Sequence, residues 1–171
     1  MTAYPLSRHD PDRNPISFHT VKTTQKLGNM PSENRVKFAL FGLGRLGSIR
    51  ARILAFQQPR IELVAVCDTK PATDKWAAEN LPPSVKHFED PQECLKSSGA
   101  EAVLICTATA THAPLILQAL DLGLHVMCEK PISVDIRTTQ EVVEKATSRP
   151  DLKFLVPFTR RCKRRSMPCL E

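Results

Sequence analysis

The sequence predicts an α/β protein with a doubly wound, parallel six-stranded sheet. Six short apolar runs alternate with segments of helical length between Val36 and Phe158. Three glycines, Gly42, Gly44 and Gly47, join the first apolar run to the first helical pattern. Because right-handed crossovers between parallel strands leave few other arrangements, the pattern favours one sheet with helices on both faces.

The turn after the first strand predicts a phosphate-binding site. The strand is expected over 36–41 and runs into GLGRLG, which comprises Gly42, Leu43, Gly44, Arg45, Leu46 and Gly47. The first glycine would permit a tight turn, the second a close approach of the backbone to a pyrophosphate, and the third close packing of helix on strand. The helix that follows would turn its free N–H groups and positive dipole end towards the phosphates. These six residues are therefore predicted to bind a dinucleotide.

An acidic residue after the second strand predicts how the ribose is held. The strand is expected over 61–67, and Asp68 follows it about 20 residues beyond Gly47, where a ribose-binding carboxylate belongs. A carboxylate at this position repels a 2′-phosphate, so NAD is the expected cofactor and NADP is less favoured. Lys70 could instead accommodate that phosphate, and this alternative stays open.

The remaining elements follow the same alternation and complete a Rossmann-type sheet. In the first helix, Leu46, Ile49, Ile53 and Leu54 have the spacings of one buried face. Further strands are expected over 84–88, 102–106, 124–128 and 153–158, and further helices over 71–80, 90–99, 112–122 and 135–147.

Charge and composition exclude several classes of function. Residues 1–34 carry four basic and three acidic side chains, residues 35–152 carry fourteen of each, and residues 153–171 carry six and one. The net charge of +6 therefore comes mostly from the last residues, and no nucleic-acid surface is expected. No apolar run approaches the roughly 20 residues of a membrane span, and the N-terminus lacks a signal peptide, so we expect a cytoplasmic protein without membrane contact.

The chain is expected to contain one folded domain between two tails. Residues 1–34 have no apolar period and read as a disordered leader, although their few acidic residues would also suit an organellar transit segment. The domain is expected over 35–161, and residues 162–171 as a basic disordered tail. The six cysteines include no CxxC pair, so we expect neither a metal site nor a redox pair, and interpret the cysteines as small buried side chains.

Four segments should meet at the carboxyl ends of the strands: residues 42–47, 68–70, 107–112 and 129–131. Lys130 could supply a positive charge where an alkoxide develops, or be a solvated loop lysine. His112 could be an acid, a base or a substrate donor, or a structural residue at a helix start. Thr107 could donate to a ribose or to nicotinamide, or merely cap its turn.

Four stretches resemble the nucleotide-binding half of the Gfo/Idh/MocA oxidoreductases, and within that family most of all the inositol 2-dehydrogenases. They are FALFGLGRLGSIRA, ELVAVCD, THAPLILQALDLGLHV and CEKPIS. The resemblance covers residues 36–161 and implies hydride transfer between a nicotinamide dinucleotide and a polyol or sugar. It also implies that Lys130 is catalytic beside the nicotinamide, that Glu129 and Pro131 belong to the same cofactor-binding motif, and that Thr107 lines the site.

The sequence also departs from that family. Residues 107–112 read TATATH where T-P-N-x-x-H is usual, and Pro157 stands where a glycine usually precedes phenylalanine. After Arg161 the family continues into a second α+β domain, which we expect to be absent here. Two other functions stay open: a non-catalytic dinucleotide-binding module, and a regulatory partner of a full-length paralogue. Without a second domain, the exposed sheet end would also favour self-association.

Overall fold

The computed structural model describes residues 35–157 of the 171-residue chain. Its six strands are β1 (Val36–Phe41), β2 (Ile61–Cys67), β3 (Lys86–Phe88), β4 (Ala102–Ile105), β5 (His125–Cys128) and β6 (Phe154–Leu155). Its five helices are α1 (Arg45–Phe56), α2 (Ala72–Asn80), α3 (Pro91–Ser97), α4 (Thr109–Asp121) and α5 (Ile136–Thr147). The expected leader 1–34 and tail 162–171 lie outside the described residues, as do residues 158–161 of the expected domain.

The strands form one parallel sheet in the order β3-β2-β1-β4-β5-β6, so the predicted fold class is confirmed. The order reverses between β1 and β4, because the chain crosses from the β3 edge back to the centre. At that point the turns after β1 and β4 leave the sheet in opposite directions and open a crevice, which is where ligands bind in such sheets.

Alternate residues of the central strands build a core on each face of the sheet. On β1, Leu40 packs on the side of α1 and α2, whereas Ala39 and Phe41 pack on the side of α3, α4 and α5. All three side chains are buried. Two-sided burial explains why the central strands are continuously apolar. It also holds the strand ends, and the turns that follow them, in fixed positions.

The buried face of α1 was predicted correctly at Gly47 and Leu54 but not at Leu46 and Ile49. The helix buries Gly47, Ala51 and Leu54, while Leu46 and Ile49 are 46% and 54% exposed. A Cβ added to Gly47 would lie 1.7 Å from the carbonyl oxygen of Gly42. The helix therefore lies against the strand through its glycine face, and this contact fixes its rotation more strongly than the larger apolar side chains do.

Several predicted boundaries also shift. Helix α4 begins at Thr109 and not at His112, because the N–H of Thr111 donates to the carbonyl of Ala108 (3.0 Å) and closes an additional turn. Strand β4 ends one residue before Cys106, and β3 and β6 are shorter than expected. Strand β6 pairs through two residues only, and Pro157 beyond it has no N–H to extend the ladder.

No helix within residues 35–157 is long and apolar enough to cross a membrane.

Candidate cofactor site

A cavity of about 700 Å³ opens at the carboxyl ends of β1, β2 and β4. It spans the point where the strand order reverses. Four of the residues predicted from the sequence line it: Gly42, Gly44, Asp68 and Thr107. The other predicted residues do not line it: Leu43, Arg45, Leu46, Gly47, His112, Glu129, Lys130 and Pro131.

The glycines of the turn meet different surroundings. Gly42 has a φ of +90°, and a Cβ there would lie 2.8 Å from the backbone of Cys106 and Thr107. It therefore allows the turn after β1 to pass close to the end of β4. A Cβ on Gly44 would meet nothing within 4 Å, so this residue presents bare backbone to the cavity. That opening is a cradle into which a side chain would intrude, and it fits a diphosphate.

The first turn of α1 is suited to an anion. Gly44 is the N-cap residue, no side chain caps the helix, and the first turn carries no acidic residue. The free N–H groups and the positive end of the helix dipole therefore lie next to the cavity at Gly44, and no acidic side chain of the helix's own first turn neutralises them. Arg45 and Leu46 are exposed at this turn and leave access to its backbone.

Asp68 is tied to the glycine turn by its carboxylate. One carboxylate oxygen accepts from the N–H of Leu43 (2.7 Å), and the other accepts from the N–H of Lys70 (3.0 Å). Each oxygen keeps a lone pair that can accept from a ribose hydroxyl. The Lys70 side chain is exposed at the cavity and supplies a positive charge near the same position.

Polar side chains from α3 and α4 also line the cavity. The sequence alone did not single them out. The amide of Gln92 donates to Gln118 (2.5 Å), and the hydroxyl of Thr111 lies 2.8 Å from that of Thr107. No spacing along the sequence predicts the contact between Gln92 and Gln118. The turn-spacing of Thr107 and Thr111 along a strand–helix junction could have indicated the second pair.

His112 connects two of the turns from inside the fold. Its side chain is 2% exposed, and its ring nitrogens lie 2.7 Å from the carbonyl of Pro131 and 3.1 Å from that of Thr107. A neutral ring can donate to only one of these two acceptors. The ring therefore lies between the turns after β4 and β5 and can donate to either of them.

The turn after β5 carries the predicted catalytic lysine. Lys130 is exposed, and the peptide bond between it and Pro131 is cis. The preceding Glu129 is buried, and its carboxylate forms an ion pair with Arg50 of α1. Arg50 was not predicted from the sequence, because its contact with Glu129 depends on tertiary structure.

The cysteines of the site are inert at neutral pH. Burial raises the pKa of Cys106 and that of Cys128 to about 12, so both stay protonated. Cys67, Cys94, Cys106 and Cys128 are all free thiols. Over residues 35–157, no cluster of three His, Cys, Asp or Glu side chains could hold a metal ion.

The sequence profile of the Gfo/Idh/MocA family, an oxidoreductase family with an NAD-binding Rossmann fold, matches residues 36–156. The chain belongs to this family. The resemblance first seen in the glycine turn and in the CEKPIS motif is thereby confirmed, and the matched part of the chain is an NAD-binding Rossmann domain of this family.

Two inositol dehydrogenases are similar to about two thirds or more of the chain. The myo-inositol 2-dehydrogenase of Thermotoga maritima is 31% identical over 126 residues, which are 74% of this chain and 37% of the relative. The NAD(+)-dependent scyllo-inositol 2-dehydrogenase of Bacillus subtilis is 35% identical over 113 residues, 66% of this chain and 33% of the relative. The chain thus spans about a third of the length of these relatives.

A solved structure of the same family has this fold. The scyllo-inositol dehydrogenase of Lactobacillus casei, crystallised with bound NAD(H) and scyllo-inositol, superposes with a TM-score of 0.71 at 34% identity. The likeness covers 74% of this chain and 37% of that one.

Proposed function

We propose that the chain binds NAD(H) in the cavity beside the glycine turn, and is the nucleotide-binding part of a dehydrogenase acting on an inositol-like polyol or sugar. The observation that carries the proposal is the junction of Asp68 with Leu43. The Asp68 carboxylate accepts from the N–H of Leu43 (2.7 Å) in a turn whose Gly44 is open to the cavity, which supports a ribose-binding role for Asp68. The solved relative that holds NAD(H) and scyllo-inositol supports the cofactor and the substrate class.

Each segment has a role in this proposal. Residues 42–47 hold the pyrophosphate through backbone N–H groups, and Asp68 accepts from the adenosine ribose. The hydroxyl of Thr107 donates within the nicotinamide half of the site, and the buried His112 lies between the turns after β4 and β5. When bound, the nicotinamide supplies the hydride donor or acceptor.

Lys130 is the proposed catalytic residue. It follows β5, in the half of the sheet that receives the nicotinamide in a doubly wound fold. Its ammonium group can stabilise the oxygen of a substrate carbinol as negative charge develops there. Its neighbours Glu129 and Pro131 contribute the rigid turn that carries it, through an ion pair and a hydrogen bond.

NAD(H) is the proposed cofactor over NADP(H). The negative charge of Asp68 would lie where a 2′-phosphate must go, whereas Lys70 would partly offset the repulsion. The first experiment is therefore a calorimetric titration of the purified chain with NADH, NADPH and ADP-ribose. We expect the tightest binding for NADH, and absence of NADH binding would refute the proposal.

The 171-residue polypeptide should bind the cofactor yet turn substrate over poorly. Orientation of the reactants supplies about 7–11 kcal/mol of barrier reduction in favourable cases, and the exposed Lys130 cannot by itself hold a polyol in place. Assays with NAD⁺ against myo-inositol, scyllo-inositol and a panel of sugars test this. Rapid turnover that Lys130→Ala abolishes would show that these 171 residues suffice for catalysis.

A further inference from the structure

We propose that Arg50 is a positioning residue that fixes the Lys130 turn to the helix following the glycine turn, acting through its ion pair with Glu129. The inference rests on the proposed function in taking Lys130 as the catalytic residue. It adds a contact between the half of the site that holds phosphate and the half that carries the lysine.

The ion pair joins two parts of the chain that are far apart in sequence. Arg50 lies on α1, three residues after Gly47, and Glu129 lies 79 positions away at the end of β5. The carboxylate oxygen Oε1 of Glu129 contacts Nη2 of the Arg50 guanidinium. The ion pair thus connects helix α1 with the Lys130 turn across the carboxyl end of β4, the strand that lies between β1 and β5.

The pair lies largely away from solvent, so it can transmit position. The Glu129 side chain is 10% exposed and that of Arg50 is 26% exposed. A buried carboxylate is strongly unfavourable unless it is paired, so Glu129 has one preferred position while Arg50 is present. Its backbone is fixed as well, since its N–H donates to the carbonyl of Ile105 (2.9 Å). Lys130 is the next residue along the chain, so the fixed position of Glu129 restricts the Lys130 backbone.

The pair also lies next to the cavity. Both charges act on the pKa of Cys106, which burial raises, Arg50 lowers and Glu129 raises, and Cys106 lines the cavity at the end of β4. The Nε atom of Arg50 is buried and has no hydrogen-bond partner in the described part of the chain. The guanidinium therefore has one buried N–H that is not used by a described residue.

Two contacts then hold the Lys130 turn, and they come from different helices. His112 holds the carbonyl of Pro131 from α4, and Arg50 holds the carboxylate of Glu129 from α1. Lys130 lies between the two held residues and is itself exposed. This arrangement leaves the lysine side chain free to meet a ligand while its backbone is fixed, which is what a site built on a loop requires.

Hydrogen exchange of the whole 171-residue chain tests the inference without any ligand. Arg50→Met and Glu129→Gln should each speed amide exchange in the peptide covering residues 129–136 by tenfold or more, with β2 unchanged. Arg50→Lys, which keeps the charge, should recover most of the protection. The double variant Arg50→Met/Glu129→Gln should exchange no faster than the faster single variant, because both changes remove one contact. Arg52→Met, on an exposed position of the same helix, is the matched control and should resemble the wild type.

Nucleotide binding supplies a second readout that a general loss of stability would not reproduce. Arg50→Met should weaken NADH by tenfold or more and leave ADP-ribose, which lacks the nicotinamide, within twofold. Equal losses for both ligands, unchanged exchange at residues 129–136, or a matching rise in β2 would overturn the inference. If the wild type binds neither nucleotide, the proposed function fails, and the exchange experiment still decides the role of Arg50.

Discussion

Gly44 and Gly47 stand three residues apart in one turn, yet a methyl group would have opposite consequences at the two positions. At Gly47 it would overlap the carbonyl of Gly42, whereas at Gly44 it would enter open space. We expect Gly47→Ala to lower the free energy of unfolding by about 1–3 kcal/mol, as overpacking does. Gly44→Ala should leave it unchanged or raise it slightly, because alanine restricts the unfolded chain. Gly44→Ala should nevertheless weaken NADH binding, since the methyl group fills the space meant for phosphate.

Urea unfolding at neutral pH, paired with NADH titration, separates the two variants. Similar losses of stability at both positions would mean that the turn does not have the described shape.

Asp68 gives a second prediction for a single residue. Replacing it with alanine removes the charge that opposes a 2′-phosphate, so the ratio of NADPH to NADH dissociation constants should fall by about tenfold, or ~1.4 kcal/mol. The substitution also leaves the N–H groups of Leu43 and Lys70 without their acceptor. Asp68→Asn is therefore the companion variant, since its amide oxygen can still accept one of these bonds. An unchanged ratio in both variants would remove Asp68 from the selection of cofactor.

Strand β5 carries a buried thiol that should make stability depend on pH. The pKa of Cys128 is raised by burial from the ordinary 9.0 to about 12. Between these values the unfolded chain loses the proton and the folded chain keeps it. The stabilising contribution is therefore complete below pH 9 and decreases as the pH rises towards 12.

We expect the free energy of unfolding of the wild type to fall more steeply above pH 9 than that of Cys128→Ala, by up to about 1.4 kcal/mol per pH unit. Urea unfolding under reducing conditions at pH 7 to 10.5 measures the two slopes. Parallel curves would contradict the assignment.

The elements also show what the sequence could and could not predict. The continuous apolar strands and the three glycines were sufficient to predict the parallel sheet and the position of the glycine turn. The buried face of α1 was predicted only in part, because Gly47 and Leu54 are buried as expected, whereas hydrophobic periodicity also selected Leu46 and Ile49, which are exposed. The pairing of Arg50 with Glu129 could not be predicted from the sequence, since it depends on the order of the strands in the sheet.

At the scale of the whole molecule, the exposed side of α1 predicts self-association. Leu46, Ile49 and Phe56 lie on this side and are 46–54% exposed. Removing such side chains from water is worth roughly 25 cal/mol per Å², so two chains that bury them against each other gain free energy. Sedimentation velocity at increasing concentration should show reversible dimers, and Ile49→Gln should shift the equilibrium to monomer. A protein that stays monomeric at hundreds of micromolar would refute this prediction.

The reversal of strand order between β1 and β4 has a consequence for the order of folding. Pairing of Phe38 with Ala102 closes a loop of 64 residues, whereas Val36 with Ile61 closes 25 and Ala102 with His125 closes 23. Longer closures cost more chain entropy, so each half of the sheet can form from local contacts before the two halves meet. The cavity spans their seam and would be completed in the last step. In pulse-labelling experiments, amides of β1 that bond to β4 should therefore gain protection after the amides within either half of the sheet. A bound nucleotide should increase the refolding rate little and decrease the unfolding rate markedly.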